Sequence, residues 1–137
     1  MSKISTKQFN QIIETELPWA ADAGMVLESI EDGKAVMKLP YHQKSIRPGG
    51  SISGPHMMML SDACMFAVVL SILGEVKLAV TTSFNINFLR KPHQTDLLAV
   101  GTIIKMGKRL AVIEVSVYSD EDIVSHATGT YSIPPIL

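Results

Sequence analysis

The chain has 137 residues, a length that suits one domain with a sizeable core. Hydrophobic residues make up 47% of it and charged residues 18%, which excludes disorder and favours extensive burial, with room for part of it at a subunit interface. A formal net charge of −1 gives no electrostatic reason to expect nucleic acid or an acidic membrane as partner, and the single cysteine, Cys64, excludes an intrachain disulfide.

The opening MSKISTKQFNQIIETEL holds no apolar signal core, which predicts a cytoplasmic protein. Phe9, Ile12, Ile13 and Leu17 recur at helical spacing, with Lys7, Gln11 and Glu14 between them. Residues 5–22 therefore read as an amphipathic helix, capped by Ser5 or Thr6 and broken by Pro18. Trp19 follows in a short piece that ends near Gly24. Met25 to Ile30 and Ala35 to Leu39 read as two strands, joined by the hairpin turn Asp32-Gly33. Pro40 to Ser53 is polar and irregular, with His42, Arg47 and the break Pro48-Gly49-Gly50.

The stretch from Gly49 to Gly74, GGSISGPHMMMLSDACMFAVVLSILG, organises the rest. Pro55 suits the first position of a helix, with Ser53 or Gly54 as its cap, and Gly74 is a stop. Met57 to Leu73 is apolar at nearly every position, so this helix must be wrapped. It falls slightly short of the roughly 20 residues of a bilayer span and carries Asp62 inside, so it reads as a core helix and not a membrane helix. Cys64 within it reads as a buried structural thiol. A carboxylate in an otherwise apolar helix calls for a functional explanation.

Lys77 to Leu89 alternates, with Val80, Thr82, Phe84, Ile86 and Phe88 on one face and Thr81, Ser83, Asn85 and Asn87 on the other. That predicts a half-buried strand, closed by Arg90, Lys91 and Pro92. Asp96 to Lys105, Leu110 to Ser119 and Ile123 to Ile133 complete an expected antiparallel meander. The fold class is α+β: a curved antiparallel sheet of about five or six strands round one long helix, with open edges that a two-fold axis could pair.

The run from Ser53 to Ala63 (SGPHMMMLSDA), followed by VTTSFNINFLRKP, resembles the hotdog-fold acyl-CoA thioesterases, in the branch similar to the phenylacetic-acid-pathway thioesterase. The resemblance covers roughly residues 25–133. The family motif is a loop, a His-Gly-Gly entry to the central helix, then a leucine and an acid on that helix. Leu60, Asp62 and Ala63 match, as does Gly54 for the first glycine; Ser53 replaces the histidine, Pro55 the second glycine, and Arg47 stands where the loop usually carries a catalytic Asn. The implied fold is one hotdog domain over residues 1–137, with an N-terminal helical segment at 1–22 and the central helix at 54–73. The implied function is hydrolysis of an acyl-CoA to free acid and CoA by a homodimer or dimer of dimers. CoA enters as part of the substrate, and no cofactor or metal is implied.

In that chemistry Asp62 is the candidate base or nucleophile, with capping of a loop or pairing with Arg47 as its structural alternative. The Gly54 N–H, backed by the helix dipole, is the candidate donor to the thioester carbonyl. Thr81 or Thr82 lies where the family places a hydroxyl that positions water. They fall on opposite faces, so at most one serves, and Thr81 is the candidate. Arg47, Ser53 and His56 are candidates to bind substrate near the helix entry, although His56 points to a different face from Asp62. Arg90 and Lys91, with Lys108 and Arg109 at the next turn, are candidates for the phosphates of coenzyme A. A dehydratase would want a histidine near Pro48, where there is none. The other reading is a non-catalytic acyl-CoA or lipid binder, because Arg47, Ser53 and Pro55 all depart from the motif.

Overall fold

The computed structural model describes residues 1–135. Its elements are α1 (Thr6–Glu16), α2 (Pro18–Asp22), β1 (Val26–Glu31), β2 (Lys34–Leu39), a 3-10 turn (Gln43–Ser45), α3 (Gly54–Leu73), β3 (Val80–Phe88), β4 (Leu97–Met106), β5 (Leu110–Ser119) and β6 (Asp122–Ser132).

Local chemistry sets the starts and stops. Ser5 is the cap of α1: its Oγ accepts from Gln8 N at 3.1 Å, and its N–H donates to Gln8 Oε1 at 2.7 Å, a reciprocal capping box. Pro18 then opens α2 at its first position, where no N–H is required. The β1–β2 hairpin turns at Asp32-Gly33, with Gly33 at φ +81°. Ser53 caps α3, and Gly74, at φ +82°, ends it.

The six strands form one antiparallel sheet in the order β1-β2-β4-β5-β6-β3. Only β4, β5 and β6 form a meander. The expected neighbour relation of β3 and β4 does not occur, because β3 lies at the far edge beside β6. The connection after β3 crosses the ends of the intervening strands. Leu89 N donates to Val124 O at 2.8 Å, His93 N donates to Ser119 Oγ at 2.9 Å, and β4 then starts opposite Ser119.

Helix α3 lies in the concave face of this sheet. It has the length and hydropathy of a membrane span, yet 67% of its most apolar window is buried. Leu60 and the run from Ala63 to Leu70 pack against Met37, Leu39, Ala99, Ile113, Val115 and Ala127, among others of the core. Two glycines allow the close approach. A Cβ at Gly101 would stand 2.8 Å from Cys64 Sγ, and one at Gly129 would overlap Met65. Cys64 is fully buried, and burial pushes its thiol up to about 12, so it packs as a small apolar residue.

The edge strand β3 is half-buried as expected, with Thr81, Phe84 and Ile86 partly covered on one side and the rest exposed. It departs from expectation in phase, because a bulge lies between Thr81 and Ser83. Thr81 faces Tyr131, and after the bulge Phe84, Ile86 and Phe88 pair with Gly129, Ala127 and Ser125. Those four β6 residues are all buried beneath α3, so Thr81 shares the inward side with the aromatic residues, not the outward side with Asn85.

Candidate active site

Asp62 lies two turns into α3 and is half-buried. Two hydroxyls converge on one of its oxygens. Thr81 Oγ1 donates to Oδ1 at 2.7 Å, and the Tyr131 hydroxyl stands 2.7 Å from the same Oδ1 and 2.9 Å from the Asp62 carbonyl oxygen. Among the described residues Oδ2 accepts no hydrogen bond, and no cation lies within ion-pair distance of the carboxylate. The alternative of an Arg47–Asp62 pair therefore does not occur.

Sequence reasoning missed Tyr131. Burial, and then the charge of Asp62, push its hydroxyl well above the usual phenol range, so it stays a neutral donor at any working pH. Its ring is positioned by an aromatic series: Tyr131 stacks on Phe66 at 6.3 Å between centroids, and Phe66 meets Phe9 of α1 at 5.9 Å. A signal was present. The inward residues of β6 run Ser125, Ala127, Gly129, small enough to admit α3, and then Tyr131, large with a polar tip.

Two cavities adjoin Asp62. One of about 240 Å³ is bounded by Leu17, Trp19, Ala63, Phe66, Ala79, Val80 and Tyr131. The other, of about 320 Å³, is bounded by Trp19, Met58, Met59 and Phe84. Asp62 and Thr81 line both. Both cavities are mostly apolar, as a site for an acyl chain requires.

Most of the remaining predicted residues gather at the start of α3. Arg47, Gly54, Arg90 and Lys91 line a third cavity of about 380 Å³ together with Ser51 and Phe88. Arg47 sits at the tip of a tight loop. Its N–H donates to Ser51 O at 2.9 Å, its carbonyl accepts from Gly50 N at 3.0 Å, and Gly49 and Gly50 take φ +102° and +87°. Phe88 lies so close over Gly54 that a Cβ there would stand 3.3 Å from its ring. No hydrogen bond among the described residues uses the Gly54 N–H, and the buried Ser51 Oγ has no partner. Ser53 Oγ accepts from His56 N at 3.3 Å and stands 2.7 Å from His56 Nδ1, so both serve the helix cap. Burial pulls the His56 imidazole below its usual range and keeps it neutral.

Two expected groupings do not form within one chain. Gly54 and Asp62 lie eight residues apart on one helix, about 12 Å by the helical rise, and line different cavities. Lys108 and Arg109 sit at the β4–β5 turn, whose strand end aligns with Val80, whereas Arg90 and Lys91 follow Phe88 at the opposite end of β3.

Comparison with known proteins fits this geometry. The sequence model of the thioesterase superfamily matches residues 49–126. A protein of Saccharolobus solfataricus named as a candidate esterase is 28% identical over 132 residues, covering 95% of this chain and 86% of its own. One of Thermoplasma volcanium with the same kind of name is 30% identical over 105 residues, 76% of this chain and 78% of its own. Among solved structures, a candidate thioesterase of Silicibacter sp. superposes with a TM-score of 0.89 at 34% identity, over 98% of this chain and 95% of that one. The phenylacetic acid degradation protein of Thermus thermophilus, in a mutant form, reaches 0.77 at 20% identity over 85% and 99%, a likeness of fold. Hydrolysis of thioesters is the activity these matches support. The chain belongs to the thioesterase superfamily and has its hotdog fold, with Asp62 on the helix that the sheet encloses.

Proposed function

We propose that this protein hydrolyses acyl-CoA thioesters, with Asp62 as general base or nucleophile. The observation that carries the reading is the carboxylate itself: neutral hydroxyls hold Oδ1, Oδ2 has no protein partner among the described residues, and apolar cavities open on both sides. Thr81 and Tyr131 fix the orientation of the carboxylate without neutralising it. Oδ2 then either takes a proton from water as it attacks the thioester carbonyl, or attacks that carbon directly to give a mixed anhydride that water hydrolyses to the free acid. The leaving group is the CoA thiolate.

The developing oxyanion needs a donor. Among the described residues the Gly54 N–H has no partner; it lies at a helix N-terminus, where the macrodipole favours negative charge, but is about 12 Å along the helix from the Asp62 of its own chain. A second copy resolves this. Strand β3 is an unpaired edge that exposes Val80 and Phe88. Two such edges joined antiparallel about a two-fold axis run the two α3 helices in opposite directions, so that the start of one approaches the middle of the other. The homodimer, alone or doubled into a dimer of dimers, is thus the unit that assembles the site. Arg47, Arg90 and Lys91 then surround the approach of the CoA phosphates, and the same symmetry carries the Lys108–Arg109 turn of one copy to the end of the sheet occupied by Arg90 and Lys91 of the other.

The test is thiol release over a panel of acyl-CoAs by the wild type and by Asp62→Asn. Folded Asp62→Asn protein with undiminished hydrolysis of the best substrate sinks the reading. One observation favours a non-catalytic acyl-CoA binder: Pro55 removes an N–H from the helix entry, and Arg47 occupies the loop position of an amide. Tight binding of an acyl-CoA that stays intact for hours selects that alternative.

A further inference from the structure

The residues before 49 lie outside the superfamily match, yet they supply part of the wall around Asp62. Leu17 ends α1 at φ −125°, ψ 69°, outside the helical region that a following proline disfavours, and Pro18 starts α2. The turn between the two helices is tied at several points. Leu17 N donates to Ile13 O at 3.1 Å, Ala20 N to Leu17 O at 3.0 Å, and Met25 N to Ala20 O at 3.0 Å. Ala20 is fully buried. Trp19, beside it, is left 36% exposed and turned onto the cavities.

Trp19 borders both cavities next to Asp62, and the only other residues common to the two are Asp62 and Thr81. The indole therefore stands where the spaces adjoin. The smaller one is backed by the buried pair Phe66 and Tyr131, and on its outer side by Lys77, whose Nζ is 3.4 Å from Glu16 Oε1 of α1. The larger one, along Met58, Met59 and Phe84, runs toward the start of α3. A thioester with its carbonyl at Asp62 lays its acyl chain along the indole of Trp19, in the spaces that meet there.

We infer that Trp19 is a specificity-determining residue that limits the length of the acyl chain accepted beside Asp62, an inference that rests on the thioesterase reading. A large, flat, apolar side chain with only two rotatable bonds makes a firm wall at low entropic cost. Replacing it with alanine joins the two spaces.

The experiment measures kcat/KM for straight-chain acyl-CoAs from four to sixteen carbons with wild type, Trp19→Ala and Trp19→Phe. The expected result is a shift of the Trp19→Ala optimum to longer chains, with the long-to-short ratio rising about tenfold or more, and an intermediate profile for Trp19→Phe. Identical length profiles in folded variants overturn the inference. Trp19 is the only tryptophan, so its fluorescence is a second readout that needs no substitution there. In Asp62→Asn protein, a dodecanoyl-CoA titration should change the emission, and free CoA at the same concentration should not. Equal responses to both overturn the inference. If the wild type cleaves no member of the panel, the thioesterase reading fails, and the same titration on the wild type still decides whether Trp19 meets the acyl chain.

Discussion

The middle and the start of one helix carry different kinds of polar group. In the middle of α3, Asp62 is surrounded by partners from its own chain: Thr81 and Tyr131 on Oδ1, with Phe66 and Phe9 behind the tyrosine. At the start of α3, the Gly54 N–H and the buried Ser51 Oγ have no partners among the described residues, and Arg47, Arg90 and Lys91 line the same cavity. A buried polar group left unpaired is costly, so an unpaired set beside a cavity is more economical if a ligand completes it. Under the proposed function, the first region supplies a carboxylate oriented by its own chain, and the second binds what is brought from outside.

The sharpest way to break that contrast is to remove the carboxylate. Asp62→Asn keeps the size of the side chain and its packing but loses the base. A fall in kcat of roughly 10²- to 10⁴-fold is expected, with the unfolding midpoint little changed. If instead KM rises and kcat holds, Asp62 belongs with the binding end of the helix.

The next largest effect concerns the two hydroxyls. Tyr131→Phe and Thr81→Val each leave Oδ1 with one donor, and a hydrogen bond to a charged group contributes about 1.5–3 kcal/mol. Each single variant should lower kcat about tenfold with KM nearly constant, because both act on the orientation of Asp62 and not on substrate directly. The double variant should lose less than the product of the two, since both donors serve one oxygen. Strict multiplicativity with a raised KM would show that they act on something other than Asp62.

At the helix start the expected changes are smaller and of the opposite kind. Arg90→Ala and Lys91→Ala should raise KM for a CoA thioester several-fold at low salt and leave kcat almost unchanged, with the effect shrinking as salt screens the charges. A short N-acetylcysteamine thioester, which has no phosphates, should not distinguish these variants from wild type. If it does, the cations act on the acyl portion or on the fold.

Much of the fold was legible along the chain because its signals are local. Alternation placed β5 at Leu110–Ser119 and β4 within a residue of its observed Leu97–Met106, and the caps at Ser53 and Gly74 bounded α3. The position of β3 beside β6 was not legible, since strand pairing is set by contacts far apart in sequence. The bulge after Thr81 was hidden for a similar reason: period-2 reading assumes an unbroken strand, and one extra residue turned Thr81 inward. Asp62 stood out because a charge in an apolar helix is anomalous at sight. Tyr131 and Trp19 did not, because an aromatic residue in a strand or a short helix is unremarkable until the cavity it borders is known. The separation of Gly54 from Asp62 follows from helical rise alone, and the opposite placement of Arg90–Lys91 and Lys108–Arg109 follows from strand direction.

The smallest expected effect tests how far the binding end is already in place. Of the three cations in that cavity, only Arg90 has a carboxylate partner among the described residues, with its Nη1 3.4 Å from Asp122 Oδ1. His93 Nε2 lies 2.8 Å from Oδ2 of the same group. The hydrogen bond from His93, and then the charge of Arg90, hold the Asp122 carboxyl below its ordinary value of 3.8. A carboxyl depressed in the folded state contributes stability that is complete above its unfolded pKa and is lost as pH falls through the folded one. The difference in denaturation midpoint between wild type and Asp122→Asn should therefore be small and level through neutral pH, and should shrink only below about pH 3.8. A difference that stays unchanged well below that pH would mean that the charge of Asp122 contributes nothing to the fold. In the same variant Arg90 loses its tether, so KM for a CoA thioester should rise modestly, less than in Arg90→Ala. A KM equal to wild type would mean that the ion pair holds the turn between β5 and β6 and does nothing to aim the guanidinium at the ligand.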